Sequence, residues 1–295
     1  MKEIVSASGQ DMAEALVDRD QYDRPLVLPR SGHKSPCKPR PKGGCYCMVP
    51  YTRSSTIGET LSDSFGLNRW QKGNMLKGIG KRPDIVNMAR VVRSPSELYE
   101  LVDLAEALGD NDVAARNGSL MHRLTEDLDH GRDLPDGLPD NITAMLDAYR
   151  AEVIERNGLV TLDTEQFVVT DAVKIAGSYD KRCNKLRGEQ RGEPHIYIAD
   201  VKTGQNLDRI ALKTCMQVCT YVGSYYDVGT GERRQVPANK DWGLLIWLPW
   251  VEKAEDAQCE LRWLDLRQGR VAVREALKVR DLRNLKASQL MPRVK

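Results

Sequence analysis

The chain has no apolar run near the roughly 18 residues that a membrane-spanning helix needs. Its strongest apolar stretch, Trp242 to Trp250, is short and carries Pro249, so it reads as a buried strand. No apolar segment near Met1 resembles a secretory leader. A cytoplasmic protein without a membrane partner is therefore expected. A large charge excess is also missing. The formal net charge is +2 over 295 residues, so any nucleic-acid surface must be a local patch. The phosphate-binding pattern G-x-x-x-x-G-K-[ST] is absent, which excludes a fused ATP-driven motor of that class. No helix-turn-helix or intact zinc finger is visible, so any nucleic-acid contacts should fall on phosphates and stacked bases and weaken steeply with salt. Arg53, Lys72, Lys77, Lys81 and Arg82 are candidates for that electrostatic path, although each alone reads as ordinary surface charge. No internal repeat is present.

The seven cysteines are unevenly spread. Cys215, Cys219 and Cys259 fit the role of small apolar residues. Cys37, Cys45 and Cys47 cluster near the N-terminus with His33. These ligand types suit tetrahedral zinc, but the single-residue gap between Cys45 and Cys47 is unlike the usual spacing of two to four. Zinc is not expected there; a reduced, unstructured tail is. Residues 1–50 are accordingly read as a flexible basic arm rich in Pro, Gly, Lys and Arg, with a short helix near Asp11 to Arg19. Residues 51–160 read as a helical region. Within it, Ser94-Pro95-Ser96-Glu97 marks a helix start, with a capping Ser and Pro in the first turn. Residues 161–295 read as a sheet-containing core, and 51–295 as one compact unit. Strands are expected at Glu165 to Thr170, Ala172 to Tyr179, His195 to Lys202, Trp242 to Leu248 and Gln258 to Leu266. Helices are expected at Leu207 to Asp227 and Val271 to Ala287. This order describes an α/β protein with a mixed central sheet flanked by helices.

The most informative segment is Ile196 to Lys202. Side chains alternate along a strand, so Ile196, Ile198, Asp200 and Lys202 share one side and Tyr197, Ala199 and Val201 the other. A strand apolar on both faces belongs at a buried sheet centre, where an Asp and a Lys are costly unless they bind something. A metal ion and a phosphate account for both. Hairpin pairing brings Asp180, at the end of one strand, toward Asp200 on the next. Gly118 and His122 lie one helical turn apart, and so do Gln217 and Tyr221. Phosphodiester hydrolysis needs a divalent cation to offset phosphate charge and acidify water. Asp180 and Asp200 would supply oxygen ligands to Mg²⁺ or Mn²⁺, His122 a third ligand and the Val201 carbonyl a fourth. Lys202 would position or deprotonate the attacking water and stabilise charge on the phosphate.

Taken in order, Gly118 to His122, Gly177 to Asp180, Asp200 to Lys202 and Gln217 to Tyr221 resemble the G-x-x-x-H, G-x-x-D, D-x-K and Q-x-x-x-Y motifs of the RecB-like branch of the PD-(D/E)XK nuclease superfamily. From about Tyr51 the chain is similar to phage-encoded exonucleases related to the CRISPR-associated RecB-like exonucleases. The resemblance implies a restriction-endonuclease-like fold, a Mg²⁺ or Mn²⁺ site, and hydrolysis at single-stranded or duplex DNA ends in recombination, replication or repair. It also implies host cytoplasm if the chain is phage-encoded, and a helicase or recombinase as partner. By the same resemblance His122, Asp180 and Asp200 are metal ligands, Lys202 is catalytic, and Gln217 and Tyr221 bind DNA beside the site. Many relatives hold an iron–sulfur cluster with one early and three late cysteines. No closing trio follows Cys259, so no such cluster is expected. The alternative from another class is a catalytically silent fold that binds DNA or a partner. A serine-enzyme reading of Ser178 to Lys181 (S-x-x-K) and Lys202 to Gly204 (K-T-G) fails, because no S-x-N lies between them and the two are too close together.

Overall fold

The computed structural model describes residues 17–33, 36–40, 44–109 and 111–291, with the backbone alone at 111 and 112. The chain divides into two units, one formed by Met1–Ser62 with Leu124–Lys295 and the other by Asp63–Arg123.

The smaller unit is helical. It holds α2 (Phe65–Lys81), α3 (Asp84–Val91), α4 (Pro95–Leu108) and the first part of α5 (Asn111–Asp129). Ser94 caps α4 as its sequence predicts, its hydroxyl accepting the Glu97 amide at 3.3 Å. The Glu97 carboxylate reaches back to the Arg93 amide. α2 and α4 approach closely because Gly78 presents no side chain: a Cβ there would stand 1.8 Å from the Ala105 carbonyl oxygen. Lys72 and Lys77 are exposed along α2, whereas Arg82 is ion-paired with Asp84.

The larger unit is built on two five-stranded mixed sheets. The first has the order β12 (Glu260–Asp265), β11 (Trp242–Trp247), β8 (Ile196–Lys202), β7 (Lys181–Lys185), β4 (Leu159–Thr164). The second runs β10 (Arg233–Gln235), β9 (Ser224–Tyr226), β5 (Phe167–Thr170), β6 (Ile175–Ser178), β3 (Thr52–Arg53). Two pairs are parallel, β8 with β11 and β3 with β6. The helices of this unit are α1 (Ser54–Glu59), α6 (Asp140–Tyr149, continued as a π-helix over Arg150–Arg156), α7 (Leu207–Tyr221), α8 (Leu266–Arg283) and the short α9 (Ala287–Leu290). A parallel pair needs a crossover, and α7 lies within the one between β8 and β11. α7 and α8 pack through Gly269, where a Cβ would lie 2.3 Å from the Cys215 carbonyl oxygen. Gly269→Ala must push the two helices apart, and a loss of about 1–3 kcal/mol is expected from the urea midpoint.

A single bent hairpin joins the sheets. β5 pairs with β6 from Phe167↔Ser178 to Thr170↔Ile175. β4 pairs with β7 up to Thr164↔Lys181. Between these ladders the two strands bend together at Glu165–Gln166 and Tyr179–Asp180 and pass from one sheet to the other. The expected single central sheet is therefore two. β5 and β6 are buried on both faces: Val168 and Ile175 join the core under α7 and α8, while Phe167, Val169 and Ala176 join a second core.

That second core changes the reading of the N-terminal segment. Leu26, Val27 and Leu28 are buried in it with Cys45, Met48 and Tyr51. β1 (Leu26–Val27) pairs with β2 (Val49–Pro50). The described part of the expected flexible arm thus packs against β5, β6 and β9. Most of the helix expected near Asp11 to Arg19 lies outside the described residues. The helix expected over Leu207 to Asp227 stops at Tyr221, because the chain turns at Gly223 to let β9 pair with β5. A Cβ at Gly223 would stand 2.4 Å from the Val169 carbonyl oxygen. Cys219 is buried and Cys215 and Cys259 are half-buried. Burial pushes the Cys219 and Cys259 thiols up to about 12 and Cys215 to about 11, so all three are inert apolar side chains. Among the described residues, no helix is long and apolar enough to cross a membrane.

Candidate metal centre

The bend in the hairpin positions the acids. One step inward from Thr164↔Lys181 sets Glu165 opposite Asp180, and counting from Phe167↔Ser178 gives the same pairing. The Glu165 amide donates to the Asp180 carbonyl at 3.2 Å. Glu165 has φ 52°, a left-handed backbone that a Glu rarely adopts and that needs support from its surroundings. On the other side, β7 pairs with β8 through Lys181↔Ala199. The next step of that register sets Asp180 opposite Asp200. The Val201 amide donates to Asp180 Oδ2 at 2.8 Å, which holds the carboxylate against the end of β8. Three acids from three neighbouring strands thus meet at one corner. Like charges directly opposite each other destabilise a sheet, so a corner of this kind calls for a cation.

Within the larger unit, a carboxylate oxygen of Glu165 and one of Asp180 lie within 4.8 Å of each other. His122 is carried by α5, a continuous helix whose residues from Leu124 onward belong to the larger unit. Seven residues later, on the same helix face, Asp129 is anchored. Its Oδ2 accepts Lys181 Nζ at 2.6 Å and Thr161 Oγ1 at 2.9 Å, and its Oδ1 accepts the Tyr149 hydroxyl at 2.8 Å. The Lys181 and Asp129 side chains are 3% and 4% exposed, so this is a fully desolvated pair.

The set expected from sequence is partly regrouped. In the larger unit the carboxylate grouped with Asp180 is that of Glu165, a residue outside the expected set, while His122 belongs to the smaller unit. Asp200 is buried, and its Oδ2 forms an ion pair with Lys202 Nζ at 2.6 Å. The Val201 carbonyl was expected to be a ligand, but the group of Val201 that engages the site is its amide. Burial by itself would lower the Lys202 pKa, but the charges of Asp200 and Asp180 outweigh it and hold the ammonium above its ordinary value. Lys202 is therefore an ammonium in the metal-free protein. About a quarter of its side chain reaches the surface.

Tyr221 also differs from expectation. It is 3% exposed and sits in the core, so its ring packs instead of meeting a DNA strand. Gln217 stays partly accessible and donates to the Tyr221 hydroxyl at 2.7 Å. Gly177 explains the arrangement: a Cβ there would lie 3.2 Å from Tyr221 Cε1 and 3.0 Å from Ser54 Oγ. The bare glycine admits the ring, which stacks edge-on against Tyr179 at 6.4 Å, directly behind Asp180.

Sequence reasoning missed Glu165 because it looked for motif residues and did not count strand register. The short connection from Thr170 to Ile175 was the available signal, since pairing outward from it reaches Glu165 and Asp180 together. A groove of about 1150 Å³ lined by Gln166, Arg182, Tyr225, Arg233 and Arg234 lies on the same bent hairpin, and Asp180, Asp200 and Lys202 are not among its walls.

The donors fit a hard divalent ion: carboxylate oxygens with one imidazole, which Mn²⁺ tolerates more readily than Mg²⁺. Comparison of the chain with protein-family models and with curated proteins gives no match.

Proposed function

We propose that this chain is a divalent-metal-dependent deoxyribonuclease of the PD-(D/E)XK type, acting as an exonuclease at DNA ends. The observation that carries the reading is the corner itself. Register places Glu165, Asp180 and Asp200 side by side at the end of β8, with a lysine ammonium held there by a buried carboxylate. Mixed sheets flanked by helices are compatible with an α/β architecture, and the restriction-endonuclease-like fold is part of the proposal.

In this reading Asp180, Glu165 and His122 would hold Mg²⁺ or Mn²⁺. The ion would supply charge neutralisation at the phosphate and a more acidic water. Asp200 acts through Lys202: it fixes the ammonium and keeps it protonated. Lys202 then faces the charge that builds on the phosphate as the P–O bond breaks. Gln217 is the polar group left to contact DNA, and Tyr221 positions it. A helicase or recombinase that delivers DNA ends is the partner this reading implies.

End-labelled linear single- and double-stranded DNA is the test, with Mn²⁺, Mg²⁺ or EDTA. Wild type should release nucleotides only with metal. Lys202→Ala should slow release roughly 10²–10³-fold, the cost of removing one group that stabilises transition-state charge. DNA binding without cleavage by any form would instead support a silent DNA-binding fold.

A further inference from the structure

We propose that His33, Cys37, Cys45 and Cys47 form a second metal centre, a structural zinc site that ties the N-terminal segment to the second sheet. Ligand atoms of the four lie within 4.8 Å of one another. His33 Nδ1 is 3.3 Å from Cys37 Sγ and 3.4 Å from Cys45 Sγ, and Cys47 Sγ is 3.4 Å from Cys37 Sγ. A tetrahedron with metal–ligand bonds of about 2.0–2.3 Å has edges of about 3.3–3.8 Å. The measured separations match those edges. They are far too long for a disulfide, whose S–S bond is about 2.05 Å.

The local backbone explains the convergence and why spacing rules concealed it. Pro39 and Cys45 form an antiparallel bridge, flanked by hydrogen bonds from the Arg40 amide to Gly44 and from the Tyr46 amide to Lys38, at 3.0 and 2.9 Å. In that register Cys37 stands opposite Cys47. Cys45 sits on the bridge, and the chain then turns, the Met48 amide donating to the Cys45 carbonyl at 3.1 Å, which carries Cys47 back against Cys37. The Cys-x-Cys gap is short for the usual spacing, but a turn that starts at Cys45 brings both sulfurs to one side. Arg40 braces the second strand, its Nε and Nη2 donating to the Cys45 and Met48 carbonyls at 3.0 and 2.9 Å. His33 arrives from the segment after β1 and completes an N,S₃ set suited to zinc. The other four cysteines are buried or half-buried and stand apart from this group; Cys37 is exposed, so burial does not account for its place. Cys45 and Met48 belong to the second core, and β2 and β3 follow Cys47 at once. A metal here would lock the start of the second sheet, on which α1 and Gly177 rest.

The test is independent of DNA cleavage. Full-length protein is purified under reducing conditions with zinc, dialysed against Mg²⁺, and its metal measured by mass spectrometry. One zinc per chain is expected in the wild type and in Glu165→Gln, which alters the carboxylate corner alone. Cys37→Ser and Cys47→Ser should lose it. Wild type loaded with Co²⁺ should show the visible bands of a tetrahedral thiolate site and should shield three thiols from a disulfide reagent, which decides the matter even if a variant fails to fold. Wild type without zinc and with freely reacting thiols overturns the proposal. So does zinc retained in both serine variants, or iron with sulfide in place of zinc.

Discussion

Asp180→Asn is expected to abolish metal-dependent DNA cleavage, on the order of a 10³-fold loss, while leaving the metal-free protein as stable as wild type or slightly more so. The two halves follow from the same geometry. Asp180 faces Glu165 on one side and Asp200 on the other, so its charge is the centre of a row of like charges. The Lys202 ammonium offsets only part of that charge, so without a metal the row still costs stability. An amide removes the repulsion, and its oxygen can still accept the Val201 amide proton that the carboxylate accepts now. What it loses is the charged oxygen offered to the ion. Calorimetry should therefore show a rise in Tm with Mn²⁺ for wild type and none for the variant, beside equal or higher metal-free stability. Unchanged cleavage by Asp180→Asn would remove this corner from the chemistry. A collapse of metal-free stability would instead make Asp180 a structural residue.

Lys181→Met is expected to lower stability by about 3–5 kcal/mol, the largest loss anticipated for a single side chain outside the corner. Lys181 and Asp129 are both withdrawn from water, and the lysine also donates to the Tyr149 hydroxyl at 2.9 Å. Removing the ammonium leaves the buried Asp129 carboxylate with only the Thr161 and Tyr149 hydroxyls beside it, the latter with a pKa that burial and the Asp129 charge already raise. A domain has roughly 5–15 kcal/mol to lose in total. Adding Asp129→Asn should recover much of the deficit, because an uncompensated buried charge costs more than an absent pair. Urea unfolding of both singles and the double closes the cycle. A Lys181→Met loss below about 1 kcal/mol would show that Asp129 reaches water or another cation.

The parts of the fold that show in the sequence are those where one physical signal dominates. β8 and β11 read as buried strands because apolar residues fill both faces, and α4 reads from its cap. β7 did not, because its inward positions are Lys181, Cys183 and Lys185, a pattern that looks polar until Asp129 is seen beside it. The corner was half legible. His122, Asp180, Asp200 and Lys202 stand out by residue type, but Glu165 is set by register, and the division between ligands and ion-pair partners is set by which side chains the bend turns together. The N-terminal cysteines stayed hidden for a related reason: an isolated bridge and the turn that follows it, not a spacing rule, bring them together.

The turn between β5 and β6 has a further consequence. Asp171 to Lys174 lie at the far end of the hairpin from the acids, with Lys174 in a left-handed conformation at φ 50°. Yet the number of residues in that connection is a ruler for the whole corner. Inserting or deleting one there slides β5 past β6 by a position, and a slip of one turns each side chain to the opposite face. Gln166 would then stand where Glu165 does, with every acid still present in the chain. Tolerance to length change in this remote turn should therefore be as low as tolerance to substitution among the acids themselves.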